Sequence, residues 1–157
     1  MPRLLVTRRV HFNAAHRLHN PSLSDEENAR IFGPCNNPNF HGHNYDLDIT
    51  VAGELDPVTG YVADLGEVKR IVEKRVVARL DHRNLNLDVP EFAERNPTAE
   101  NIALVIWKLL DGHLPGTLAR VDLWETPRNR VTLEQQRARG PAQSVSPPPP
   151  VRGIGTG

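Results

Sequence analysis

Apolar and polar positions alternate from about Leu4 to His16. Val6, Val10, Phe12 and Ala14 share one face, Arg9 lies on the other, and His16 closes the run on the apolar face. This pattern predicts a half-buried strand. The alternation lapses between Asn20 and Asn39, where Ser24-Asp25-Glu26-Glu27 has the Ser-x-x-Glu form of a capping box and opens a short helix toward Phe32. It resumes from His43 to Glu54, with Tyr45, Leu47, Ile49 and Val51 on the face of His41 and His43, and Asp46, Asp48 and Thr50 on the opposite one. A second strand follows from that, ending before the turn residues Asp56-Pro57-Val58-Thr59-Gly60.

The repeat then lengthens to helical spacing. Leu65, Val68, Ile71, Val72, Val76 and Leu80 recur behind the cap residues Asp64 and Glu67 and predict a helix to about Arg79. Asn96-Pro97-Thr98 announces a second helix with Thr98 as N-cap and a stripe of Ile102, Ala103, Ile106, Leu109 and Leu110, ending near Gly112. Ala119 to Thr126 and Arg130 to Leu133 form a closing strand pair around Pro127-Arg128-Asn129. The order is strand, strand, helix, helix, strand, strand, which is an α+β pattern.

At 157 residues the chain is one domain long. Residues 1–136 make that domain, and 137–157, with four consecutive prolines at Pro147 to Pro150 and a glycine-rich end, are expected to be a disordered tail. Basic and acidic residues are balanced at 19 each, which gives no electrostatic case for nucleic acid or an anionic membrane. The opening residues break into charge too early for a secretory leader, and no run approaches the ~18 to 20 apolar residues of a membrane span. The single cysteine excludes an intrachain disulfide and suits a cytoplasmic protein.

The candidate chemistry gathers between Cys35 and Tyr45. On a strand, His41 and His43 point the same way and can grip one metal ion, and His16 is the obvious third ligand. Three neutral imidazoles with one position open are the donor set of a catalytic zinc. The bland alternative is three histidines satisfied by ordinary hydrogen bonds. A further one makes Cys35 a fourth ligand, giving a closed site in a non-catalytic protein. Asp81 next to His82 could pair a carboxylate with an imidazole, although such dipeptides are common in loops.

The chain resembles the 6-pyruvoyl-tetrahydropterin synthase family, which includes the 6-carboxytetrahydropterin synthases of queuosine synthesis. The resemblance spans about Val10 to Leu133. It is carried by Phe12-Asn13-Ala14-Ala15-His16-Arg17-Leu18, the Cys35 to Tyr45 segment, Asp56 to Gly60, Leu80-Asp81-His82-Arg83-Asn84-Leu85, Pro97-Thr98-Ala99-Glu100-Asn101 and Trp124-Glu125-Thr126. Five residues separate Cys35 from His41, the longer spacing of the animal-type pyruvoyl enzymes rather than the shorter one of the queuosine enzymes.

The resemblance implies the tunnelling fold, a four-stranded antiparallel sheet with two helices on one face, assembled through trimers into a homohexamer. It implies Zn2+ held by His16, His41 and His43, with 7,8-dihydroneopterin triphosphate as the small-molecule substrate. Cys35 corresponds to the catalytic base, Asp81 and His82 to the pair that assists it, and Glu125 to the anchor of the pterin ring. Thr98 and Glu100 fall where further pterin contacts lie, although an N-cap and a first-turn acid are rival roles for them. The implied activity is a lyase that eliminates triphosphate and isomerises the side chain, in tetrahydrobiopterin-type synthesis. Formation of the carboxy product and an aldolase-like reaction are the alternatives. Two departures stand out: Phe40 where animal-type members commonly have glycine, and Ala99 in place of a frequent hydroxyl residue.

Overall fold

The computed structural model describes residues 3–136; the expectation for the tail at 137–157 lies outside them. Strand β1 (Leu4–His16) pairs antiparallel with β2 (His41–Gly53) along their whole length, with Phe12 opposite Tyr45 and His16 opposite His41. Between them lie helix α1 (Asp25–Phe32) and a 3-10 turn at Gly33–Asn36. The predicted capping box is formed: the Ser24 hydroxyl accepts from the Glu27 N–H, and the Glu27 carboxylate accepts from the Ser24 N–H. In the turn after β2, the Asp56 carboxylate accepts from the amides of Val58 and Thr59, and Gly60 takes the positive φ of 74° that favours glycine.

Helix α2 (Leu65–Val72) opens on Asp64, which caps Gly66 and Glu67. The single helix expected to Arg79 widens into a π turn at Glu73–Val77 before closing as α3 (Ala78–Leu80). The short elements β3 (Arg83–Asn84) and α4 (Leu85–Asp88) lead through a 3-10 turn at Pro90–Phe92 to helix α5 (Ala99–Leu110). Strands β4 (Thr117–Thr126) and β5 (Asn129–Glu134) complete the fold.

The sheet has five strands in the order β3-β1-β2-β4-β5, one more than expected. The extra strand is a two-residue parallel bridge, in which Arg83 and Asn84 lie beside Ala14 and Ala15 on the open edge of β1. Two residues are too few to show a period, and their pairing is set by where α3 ends. The remaining four strands are antiparallel, as expected.

One face of the sheet is covered by helices. Phe12, Tyr45, Leu47, Ile49, Val121 and Leu123 pack there against Val68, Val72, Val76 and Leu80, and against Ile102, Ile106 and Leu110 of α5, all fully buried. Each such side chain contributes about 1.5 to 3 kcal/mol. By comparison, the Arg9–Asp48 ion pair on the opposite face, at 2.7 Å, belongs to the exposed class worth about 0 to 1 kcal/mol.

That opposite face is less solvated than its polar pattern suggests. Thr50 and Asp122 are 1% and 3% exposed. The Thr50 hydroxyl bonds Thr7 at 2.8 Å, and Asp122 accepts from the Thr132 hydroxyl at 2.6 Å and pairs with Arg120 at 2.8 Å. Trp124 takes the Arg9 guanidinium over its ring at 4.6 Å. No helix among the described residues is long and apolar enough to cross a membrane.

Candidate active site

Antiparallel register brings the three histidines together. His16 ends β1 opposite His41, the first residue of β2, and His43 lies two residues on, opposite Ala14. All three side chains project to the helix-covered face, and one ligand atom from each falls within 4.8 Å of the others. The rings meet edge to face at 4.6 to 5.0 Å between centroids. The buried His16 donates from Nδ1 to the carbonyl of Pro97 at 2.8 Å, which leaves Nε2 as the lone-pair atom, 3.0 Å from Nε2 of His41.

This arrangement suits a metal. A ligating histidine is ordinarily fixed by a carbonyl or carboxylate on its other nitrogen, as His16 is by Pro97. Burial, reinforced by the neighbouring imidazoles, pulls the pKa of His16 down to about 4, and burial also lowers that of His41. Both are therefore neutral near pH 7, the form that binds metal. Nε2 of His43 and Nδ1 of His41 are buried with no hydrogen-bond partner among the described residues. The converging donor set consists of the three histidines and does not include Cys35.

Cys35 is a half-buried free thiol in the 3-10 turn at Gly33–Asn36. That turn is stitched to the end of β1: the Leu18 N–H donates to the Cys35 carbonyl, the Arg17 guanidinium to the Asn36 carbonyl, and the Asn36 amide to the Leu18 carbonyl, each at 2.8 Å. Burial pushes the thiol pKa up, and the negative charge of Glu125 pushes it further. Phe40 joins this loop to His41 with φ at 65°, a left-handed conformation in which a residue with a Cβ is strained by roughly 1 to 2 kcal/mol.

Glu125, near the end of β4, places Oε1 at 3.7 Å from Nε2 of His43. Burial raises its pKa, His43 opposes the shift, and Glu100 adds to it. Glu125 lines a cavity of about 440 Å³ with Glu100, Thr98, Leu18, Phe32 and Val131. Thr98 does fill its rival role, since its hydroxyl accepts from the Asn101 N–H at 3.2 Å as the N-cap of α5. Glu100 is exposed in the first turn of that helix.

Asp81 and His82 form a hydrogen-bonded pair, Oδ2 to Nδ1 at 2.8 Å. Both are tied to Asn13 of β1: Asp81 accepts its N–H at 2.8 Å, and the His82 N–H donates to its carbonyl at 2.6 Å. His82 also has positive φ, 57°. Its side chain is 78% exposed and lines a second hollow, with His43, Asn13, Asn44 and Arg83. The structure brings together His16, His41, His43 and Glu125, with Cys35 close enough to feel the charge of Glu125; Asp81 and His82 form a separate hydrogen-bonded pair, and His82 shares its hollow with His43.

The whole span from β1 to β5, residues 5–136, matches the family model described as 6-pyruvoyl tetrahydropterin synthase. The chain belongs to the 6-pyruvoyl tetrahydropterin synthase family. A human 6-pyruvoyl tetrahydrobiopterin synthase is 50% identical over 130 residues, covering 82% of this chain and 90% of that protein. The solved structure of a 6-pyruvoyl tetrahydropterin synthase from Caenorhabditis elegans superposes with a TM-score of 0.80 at 41% identity, covering 87% of this chain and 98% of that one. A dihydroneopterin monophosphate aldolase from Pyrococcus furiosus is 44% identical over 97 residues, covering 60% of this chain and 78% of that protein. Two groups at the histidines are not legible as site residues in the sequence: the Pro97 carbonyl that orients His16, and Tyr45, a core position whose one distinguishing signal is a hydroxyl on the histidine face of β2.

Proposed function

We propose that this chain is a zinc-dependent 6-pyruvoyl tetrahydropterin synthase that eliminates triphosphate from 7,8-dihydroneopterin triphosphate with isomerisation of the side chain. The observation that carries the reading is the meeting of three imidazoles with Glu125, 3.7 Å from His43, and a free thiol that feels the Glu125 charge. The 50% identity to the human synthase supports it.

His16, His41 and His43 would hold the zinc, which when bound polarises oxygens of the substrate side chain as a Lewis acid. Glu125 accepts hydrogen bonds from the amino edge of the pterin and so fixes the ring. Thr98 and Glu100 line the same cavity and complete its polar wall. Cys35, as thiolate, takes the carbon-bound proton. Asp81 holds Nδ1–H of His82, which leaves Nε2 as the nitrogen that exchanges a proton with the thiol. The proposed assembly is a homohexamer built through trimers. We place the reaction in the cytosol, where a free thiol stays reduced.

A second reading has an observation in its favour. The similarity to the Pyrococcus aldolase suits cleavage of the side chain rather than its isomerisation. Mass analysis after incubating zinc-loaded protein with 7,8-dihydroneopterin triphosphate separates the cases. Formation of the 6-pyruvoyl product with release of triphosphate is expected. A 6-carboxy product or a shortened 6-hydroxymethyl product as the sole outcome would overturn the proposal.

A further inference from the structure

Tyr45 lies two residues beyond His43 on the same face of β2 and is fully buried. Its ring stacks on Phe12, its partner across the ladder, at 4.8 Å between centroids and 12° between planes. That stack fixes the ring, whose centroid is 5.7 Å from His43 and 6.4 Å from His16. The hydroxyl, however, has no hydrogen-bond partner among the described residues. A buried polar group left unpaired costs about 1 to 3 kcal/mol. Phenylalanine would make the same stack without that penalty, so packing does not account for the oxygen.

A tyrosine hydroxyl is a neutral O–H donor near pH 7, and in a dry environment its hydrogen bond is electrostatically stronger than in water. Its ring lies beside two of the three converging imidazoles, those of His43 and His16.

We infer that Tyr45 is a further substrate-contacting residue, whose hydroxyl donates a hydrogen bond to a side-chain oxygen of the bound pterin. This rests on the pterin reading above. With the ring's amino edge at Glu125, the acceptors a pterin can present toward the histidines are the hydroxyl oxygens of its C6 side chain. An O–H held by the Phe12 stack would orient that chain at little entropic cost, since the tyrosine ring is already fixed.

Tyr45→Phe deletes one oxygen and keeps the stack. Binding of 7,8-dihydroneopterin to the full-length zinc-loaded chain, followed by pterin fluorescence, is compared with the ligand-free melting temperature of each protein. The expected result is about tenfold weaker binding by the variant, with an unchanged or higher melting temperature. Equal binding by both proteins overturns the inference alone. A lower melting temperature overturns it too, because it shows that the hydroxyl is satisfied inside the protein. A wild-type chain that binds no dihydroneopterin overturns the pterin reading, and the inference with it.

Discussion

His16 and His41 face each other across the β1–β2 ladder with their Nε2 atoms 3.0 Å apart, while the far nitrogen of His16 is tied to the Pro97 carbonyl. Two ring nitrogens so close, on the buried ring of His16 and the half-buried ring of His41, gain most from a shared cation. Zinc added at about a hundredfold excess over its dissociation constant is expected to raise the stability of the native chain by about 2.7 kcal/mol. His16→Ala and His41→Ala are expected to abolish that rise and to lose bound zinc by elemental analysis. Undiminished zinc in either variant would contradict the three-histidine assignment.

Phe40 inverts an ordinary rule. In regular structure glycine is less stable than alanine by about 0.5 to 1 kcal/mol, but at the φ of 65° found here any Cβ is strained. Phe40→Gly is therefore expected to be more stable than Phe40→Ala, by about 1 kcal/mol, in urea unfolding. The opposite order would show that the loop relaxes out of the left-handed region.

The thiol of Cys35 is held protonated by burial first and by Glu125 second. Glu125→Gln removes the second cause and leaves the first. Alkylation of Cys35 in the metal-free protein is expected to be faster in this variant at pH 8 than in the native chain, yet slower than for an ordinary exposed thiol. An unchanged rate would mean that the carboxylate and the thiol do not sense each other.

Much of this architecture could be read from the chain alone because its signals are local and periodic. The alternation from Leu4 to His16 marked β1 from end to end, and the Ser24 and Thr98 caps marked the starts of α1 and α5. What escaped depends on tertiary placement. The bridge at Arg83 and Asn84 has no period to detect, and the π turn at Glu73–Val77 keeps the apolar stripe while changing the backbone. Period two put His41 and His43 on one face, whereas the hydrogen bond from His16 to Pro97 spans 81 residues and leaves no local trace. The same holds for the unpaired Tyr45 hydroxyl, which looks like any other core position until its neighbours are known.

Asp81 gives a pH signature. Its carboxyl is held below the ordinary value of 3.8, chiefly by the Asn13 N–H and then by His82, so the folded chain binds fewer protons there than the unfolded one. The stabilisation is complete above about pH 4 and is lost as pH falls through the lowered pKa. Asp81→Asn is expected to be less stable than the native chain at pH 6, with a difference that narrows toward pH 2 in urea midpoints. A constant difference across that range would assign the effect to packing instead.

In the proposed reaction three histidines would hold the ion at an open site, and Cys35, which is not among its ligands, would move the proton. Zinc content measured alongside turnover of 7,8-dihydroneopterin triphosphate in Cys35→Ala tests this most directly. Full zinc content with turnover lost is the predicted result; loss of zinc together with turnover would make Cys35 a ligand and contradict it.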